Sequence, residues 1–130
     1  MVVEGTLDAL AVAGAALRLA IAGRVCPVTQ SGRELSDHQV DVVAGLHPAS
    51  PVLMFDGDPA GRDSTGRYLK AFAARGHRAV AVTLPRGEDP ASLLAGRGWR
   101  DLADLLRGVT PRQRPVPGGG LPTMAPELVP

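Results

Sequence analysis

The chain is poor in aromatic residues, with one tryptophan, one tyrosine and two phenylalanines making up 3% of its 130 residues. A core must therefore come from Ala, Val and Leu, whose small volumes suit helices lying close on a sheet. One cysteine, Cys26, excludes an internal disulfide and a cysteine-based zinc site. Its expected place is that of a small buried hydrophobe in a strand. Charge of either sign is not in excess: the formal net charge is +1, so any nucleic-acid binding falls to local patches or a neighbouring domain. Lysine is nearly absent, Lys70 standing against thirteen arginines, a bias that fits GC-rich coding. An unbroken hydrophobic run is missing too. Leu10 to Ile21 is interrupted by Arg18 and preceded by Asp8 with no basic segment before it, which excludes a transmembrane helix and a signal peptide. A cytoplasmic protein with no membrane contact is expected.

What is present is enough apolar content, 45%, for one compact domain. Val2-Val3 end a buried strand at Glu4-Gly5, and Thr6 caps a helix carrying Leu7, Leu10, Ala11, Gly14 and Leu17 at helical spacing. A second strand is expected from Leu19 to Val28, followed by a polar turn through Thr29 to Arg33. Ser36 caps a helix through Gln39, Val40, Val42 and Val43 that stops near Gly45 and Pro48. Val52 to Phe55 is a continuous apolar run of the parallel-strand kind, cut off by Asp56-Gly57-Asp58. Pro59 opens a helix that Gly76 closes. Ala79 to Leu84 makes a fourth strand, and helical patterns follow at Ala91 to Ala95 and Trp99 to Leu106. Strands alternating with helices predict an α/β fold: a small parallel, Rossmann-like sheet of about four strands flanked by helices, over residues 1–107. Residues 108–130 are Pro- and Gly-rich and read as a disordered tail or linker.

In such a sheet ligands bind beyond the carboxyl ends of the strands. Glu4 ends the first strand, Asp56 and Asp58 end the third, Asp89 follows the fourth, and Asp8 sits in the helical turn after Glu4. Converging carboxylates repel by about 4 kcal/mol per pair at 4 Å and an effective dielectric near 20. A cation joining them, or protonation, relieves this. Hard oxygen ligands at an open site suit Mg²⁺ or Mn²⁺, and the chemistry implied is metal-assisted phosphoryl or nucleotidyl transfer. A single acid after a strand is also an ordinary helix cap, and Asp8 and Asp89 are open to that reading.

Three segments together resemble the Toprim family in its bacterial DNA primase branch. Val2-Val3-Glu4-Gly5-Thr6-Leu7-Asp8 is similar to its first motif, and Val52 through Asp56-Gly57-Asp58 to Arg62 to its second. Leu84 through Glu88-Asp89-Pro90 to Leu94 is similar to the later primase segment. The resemblance implies a Toprim fold whose central metal cluster and catalytic groups are Glu4, Asp56 and Asp58, with Asp8 and Asp89 as further ligands for Mg²⁺ or Mn²⁺. Glu4 has an alternative role as general acid or base, as in topoisomerases. Arg62 is expected to contact a nucleotide phosphate or pair with a cluster acid, and Gly61 to lie where ligand or backbone comes close. The implied activity is nucleotidyl transfer in RNA primer synthesis for DNA replication. Its partners are single-stranded DNA template and nucleoside triphosphates, and a replicative helicase is a further expected partner. Arg33 replaces a threonine usual in primases. The basic subdomain and zinc-binding domain that precede the core in primases do not precede Met1, so the chain is expected to be a fragment that acts within a longer protein or complex. Alternatives are a Toprim activity that cleaves nucleic acid, or a non-catalytic remnant serving as an interaction module.

Outside these motifs, His38, His47 and His77 show no metal-ligand spacing, and Trp99 begins an amphipathic helix with Leu102, Leu105 and Leu106. Arg67, Lys70, Arg75 and Arg78 give one helix a basic side, for nucleic acid or simply for solvent.

Overall fold

The computed structural model describes residues 1–30, 35–46, 50–97 and 99–110. Four strands, β1 (Val2–Val3), β2 (Val28–Thr29), β3 (Val52–Leu53) and β4 (Val80–Ala81), form a sheet in the order β2-β1-β3-β4. Every pairing is parallel, with Val2 opposite Val28 and Leu53, and Leu53 opposite Ala81. Among the described residues five helices flank it: α1 (Thr6–Arg18), α2 (Asp37–Gly45), α3 (Pro59–Ala74), α4 (Pro90–Ser92, prolonged by a π turn over Leu93–Arg97) and α5 (Trp99–Val109). This is the expected parallel α/β sheet. The ladder continues past the strand bounds, since Met54 N–H donates to the Val2 carbonyl at 2.9 Å and Val82 N–H to that of Leu53 at 2.8 Å.

The central strands are buried on both faces because their side chains alternate between two helical layers. Val3 and Met54 pack with Ala11, Val12, Ala15, Leu93, Leu102 and Leu106 on the α1–α4–α5 side. Val2, Leu53 and Phe55 pack with Val40, Tyr68 and Phe72 on the α2–α3 side. On the second side the Phe55 and Tyr68 rings meet edge to face, 4.8 Å apart.

Several expected caps are observed. Ser36 Oγ accepts the Gln39 N–H at 3.3 Å, and Gln39 Oε1 accepts the Ser36 N–H at 2.9 Å, a reciprocal box at the start of α2. Asp58 caps α3 with Pro59 in its first turn, and Gly76 follows the helix in the left-handed region at φ 76°. The amphipathic α5 is anchored by Leu102 and Leu106, both fully buried, and the Arg18 guanidinium lies 5.9 Å over the Trp99 indole ring.

Other expectations are corrected. The strand expected over Leu19 to Val28 is confined to Val28–Thr29. Ala20 turns left-handed (φ 55°) after α1, Ala20 N–H donates to Leu17 and Ile21 N–H to Ala16, a Schellman ending, and a 3₁₀ turn over Ala22–Arg24 uses up the next residues. The helix cap is Gly5, with Thr6 the first helical residue. The leucines of α1 point outward, with Leu7 72%, Leu10 64% and Leu17 69% exposed, while Ala11, Val12, Ala15 and Ala16 face the sheet. Small residues there let the helix axis lie close to the strands, which a leucine face would prevent. Cys26 is exposed rather than buried in a strand, because the chain there is a loop before β2. At the other end α5 runs to Val109, and the segment from 111 onward, like Arg33, His47 and Pro48, lies outside the described residues.

Candidate metal centre

Each of the five acids sits where a strand hands the chain to a helix. Glu4 follows β1 directly, Asp8 is in the first turn of α1, and Asp58 and Asp89 are the N-caps of α3 and α4. Asp58 Oδ1 accepts the Gly61 N–H at 2.7 Å, and Asp89 Oδ1 accepts the Ser92 N–H at 2.6 Å. Oδ1 is the capping atom in both, so Oδ2 is not needed for the cap. Asp8, nearly buried, bridges two helix starts: Oδ2 accepts the Gly5 N–H at 2.9 Å and Oδ1 the Ala91 N–H at 3.2 Å. The second bond spans 83 residues and fixes α4 to α1. Helix N-termini offer positive partial charge, a favourable place for an acidic side chain.

Glycine brings the loops together. A Cβ on Gly57 would lie 1.9 Å from the Pro85 carbonyl oxygen, so only glycine permits that approach. The two loops are then tied, Gly57 N–H donating to Glu88 at 2.8 Å and Gly87 N–H to Gly57 at 3.1 Å. A Cβ on Gly61 would lie 2.2 Å from the Asp56 carbonyl oxygen and 2.8 Å from its nitrogen. Gly61, expected where ligand or backbone comes close, is buried against the backbone of Asp56. Arg62 directs Nη1 at the Gly57 carbonyl, 3.4 Å away, from an exposed position.

Asp56 differs from the rest. Its Oδ1 is buried and has no hydrogen-bond partner. Burial, and then the charges of Glu4, Asp8, Asp89 and Asp58, raise its carboxyl to about 6. Those four acids are the ones expected from the strand ends, and each lies within electrostatic reach of Asp56. Glu4 is also raised, by desolvation of its carboxylate first and by Asp58 next, against a backbone N–H from Asp56 and the charge of Arg67. Among the described residues, no three His, Cys, Asp or Glu side chains converge on one point that could hold an ion. The reason is visible in the caps: Asp8, Asp58 and Asp89 are turned toward backbone N–H groups. The donor set nevertheless fits a hard cation, because it is all oxygen, anionic, and includes a buried carboxylate oxygen with nothing to pair with.

Two neighbours of the site were not legible from the motifs. Arg67 on α3 acts on Glu4, and the buried Tyr68 hydroxyl is raised by burial, with Arg67 opposing and Glu4 adding. Ser64, Arg67 and Tyr68 follow Gly61 at helical spacing, which is the signal that places them near the same edge. By contrast Arg75 leaves the expected basic side of α3, pairing through Nε and Nη2 with Asp41 on α2, which His77 Nε2 also meets at 3.1 Å.

The fold is an open parallel α/β sheet with acids gathered beyond its strand ends. The chain belongs to the Toprim-like family, whose model matches residues 1–94. It is 31% identical over 106 residues to a DNA primase of Chlamydia trachomatis serovar D, covering 82% of this chain and 17% of that protein. It is 36% identical over 101 residues to a DNA primase of Pseudomonas putida, covering 75% of this chain and 14% of that protein. The chain thus spans less than a fifth of the length of these curated relatives. Its fold is similar to a crystal structure of the Aquifex aeolicus primase zinc-binding and RNA polymerase domains. The TM-score is 0.65 at 24% identity, over 82% of this chain and 25% of that one. Among the described residues no helix is long and apolar enough to cross a membrane.

Proposed function

We propose that this chain is the metal-binding Toprim core of a DNA primase-like protein, serving nucleotidyl transfer in RNA primer synthesis. The observation that carries the reading is Asp56 Oδ1, buried without a partner amid four further carboxylates. Mg²⁺ or Mn²⁺ is the partner whose chemistry suits it. Glu4, Asp56 and Asp58 are the central ligands. Asp8 and Asp89 join through oxygens that keep a second lone pair beyond their backbone bonds. When bound, the ion neutralises phosphate charge and draws the reacting groups together.

The chain's own residues do the rest. Glu4, exposed at the end of β1 with a raised carboxyl, is suited to hold or accept a proton at that edge. Arg62 supplies a positive group beside Gly57 for a nucleotide phosphate. The substrates are nucleoside triphosphates on a single-stranded DNA template, in the cytoplasm. The template surface and a contact with a replicative helicase belong to the longer protein or complex in which this core works. The relatives' name supports the reading.

The test is a calorimetric titration of Mn²⁺ into the chain and into Asp56→Asn and Asp58→Asn variants. Asn keeps the α3 cap, because it caps about as well as Asp. Saturable binding in the parent, lost in both folded variants, is expected; a folded parent that binds no Mn²⁺ refutes the reading.

A further inference from the structure

Between the end of β4 and the first turns of α5 lies a groove of about 630 Å³ whose lining includes none of the five clustered acids. Leu84 and Leu93, both buried, and the half-buried Leu105 give it apolar walls together with Pro85. Asp101 and Asp104 of α5 stand exposed beside them, and none of the described residues that line the groove is basic. Asp104 Oδ1 accepts a bond from Arg107 Nη1 at 2.6 Å, which leaves its second oxygen outside that bond. Apolar walls with two carboxylates are complementary to a cationic segment that also carries apolar side chains.

Such a segment comes next in the chain. Thr110 closes α5, its N–H and Oγ1 both donating to the Leu106 carbonyl, at 2.9 and 2.6 Å. Pro111 has no N–H with which to add another helical bond. The sequence then runs Arg112-Gln113-Arg114-Pro115-Val116-Pro117 before three glycines, with no acid until Glu127. Prolines at 111, 115 and 117 favour the extended polyproline form, so less entropy is lost when the segment is held. The lengths also agree. At about 1.5 Å per residue, Asp104 and Asp101 lie about 9 and 14 Å back along α5 from Thr110. At about 3.1 Å per residue, an extended segment folded back along the helix brings Arg112 and Arg114 about 6 and 12 Å from Thr110. The arginine side chains span the difference. We propose that this groove is the docking site of the chain's own segment 111–117, with Arg112 beside Asp104, Arg114 beside Asp101 and Val116 on the apolar wall. The Pro85 carbonyl is the group that Gly57 approaches, so the docked segment braces the loop that leads to Asp89.

The test is ¹⁵N relaxation of the whole chain at low ionic strength, read at the Gln113 and Val116 amides. It compares the parent with Arg112→Gln/Arg114→Gln and with Asp101→Asn/Asp104→Asn. In the parent both amides should be as rigid as those of α5, with a nuclear Overhauser contact between the Val116 and Leu105 methyls. Either variant loses two exposed ion pairs, which should lower the docked-to-free ratio about fivefold. Salt at roughly 0.5 M should do the same to the parent. The four substitutions together should lower the ratio no further than either pair alone, because both pairs remove the same contacts. Freely mobile Gln113 and Val116 in the parent overturn the proposal. So does a segment still held in the arginine variant, whose changes lie outside α5 and its groove. A Val116–Leu105 contact found only between differently labelled chains overturns it in favour of a second copy as the source of the occupant.

Discussion

Replacing Asp56 by Asn should make the metal-free protein more stable at neutral pH, although it alters the residue at the centre of the site. The Asp56 carboxyl lies at about 6 against an ordinary 3.8. A carboxyl raised in the folded state opposes folding only when it is ionised. The penalty is therefore absent below the unfolded value, grows as pH rises between the two, and is complete above the folded one. A shift of about two units corresponds to about 3 kcal/mol. Asp56 keeps part of its solvent contact, and screening reduces the expected effect to about 1–2 kcal/mol. Urea unfolding with EDTA present should thus show Asp56→Asn above the parent by that amount near pH 8, and level with it near pH 4. Saturating Mn²⁺ should reverse the order at the higher pH, because only the parent gains from binding. A variant less stable than the parent at both pH values, or a difference that does not change with pH, would refute the account of Asp56 as a carboxylate in want of a cation.

Two further substitutions test the frame around it. Gly57→Ala forces a methyl into the Pro85 carbonyl, which is backbone and cannot step aside, so a loss of about 2–3 kcal/mol is expected in urea unfolding. Mn²⁺ affinity should fall with it, because the loop carrying Asp89 is displaced. Asp8→Ala leaves the Gly5 and Ala91 N–H groups without their carboxylate, for a loss of about 2 kcal/mol, and Asp8→Asn should recover part of it through its remaining amide oxygen.

Features set by neighbouring residues were legible in the sequence. Pro59 at a helix start, Ser36 as a helix cap, and Gly76 after a helix all act within one turn of their own position, and the structure shows each of them. The acids fall toward one edge because a parallel sheet has only one carboxyl edge. What could not be read depends on distant contacts. Asp8 meets Ala91 across 83 residues, and Gly57 meets Pro85 through space, so neither partner has a local signature. Leu19 to Val28 failed for a different reason. Its apolar residues suit a strand, but the ending of α1 at Ala20 occupies the chain before a ladder can form. The leucines of α1 misled in the same way: spacing identified an apolar face, and the sheet selected the smaller one.

The paired bonds between Gly57 and the 85–88 turn have a mechanical consequence. Asp56 and Asp58 lie on one loop and Asp89 just beyond the other, yet the two loops are latched at the glycine between the first two acids. Neither loop can swing outward by itself without breaking both bonds and opening the Gly57–Pro85 contact. Asp8 holds Ala91 beside Asp89 as well, so the acidic rim yields as one unit rather than loop by loop. A ligand that widens the rim must move three carboxylates at once, which favours all-or-none opening over a graded one.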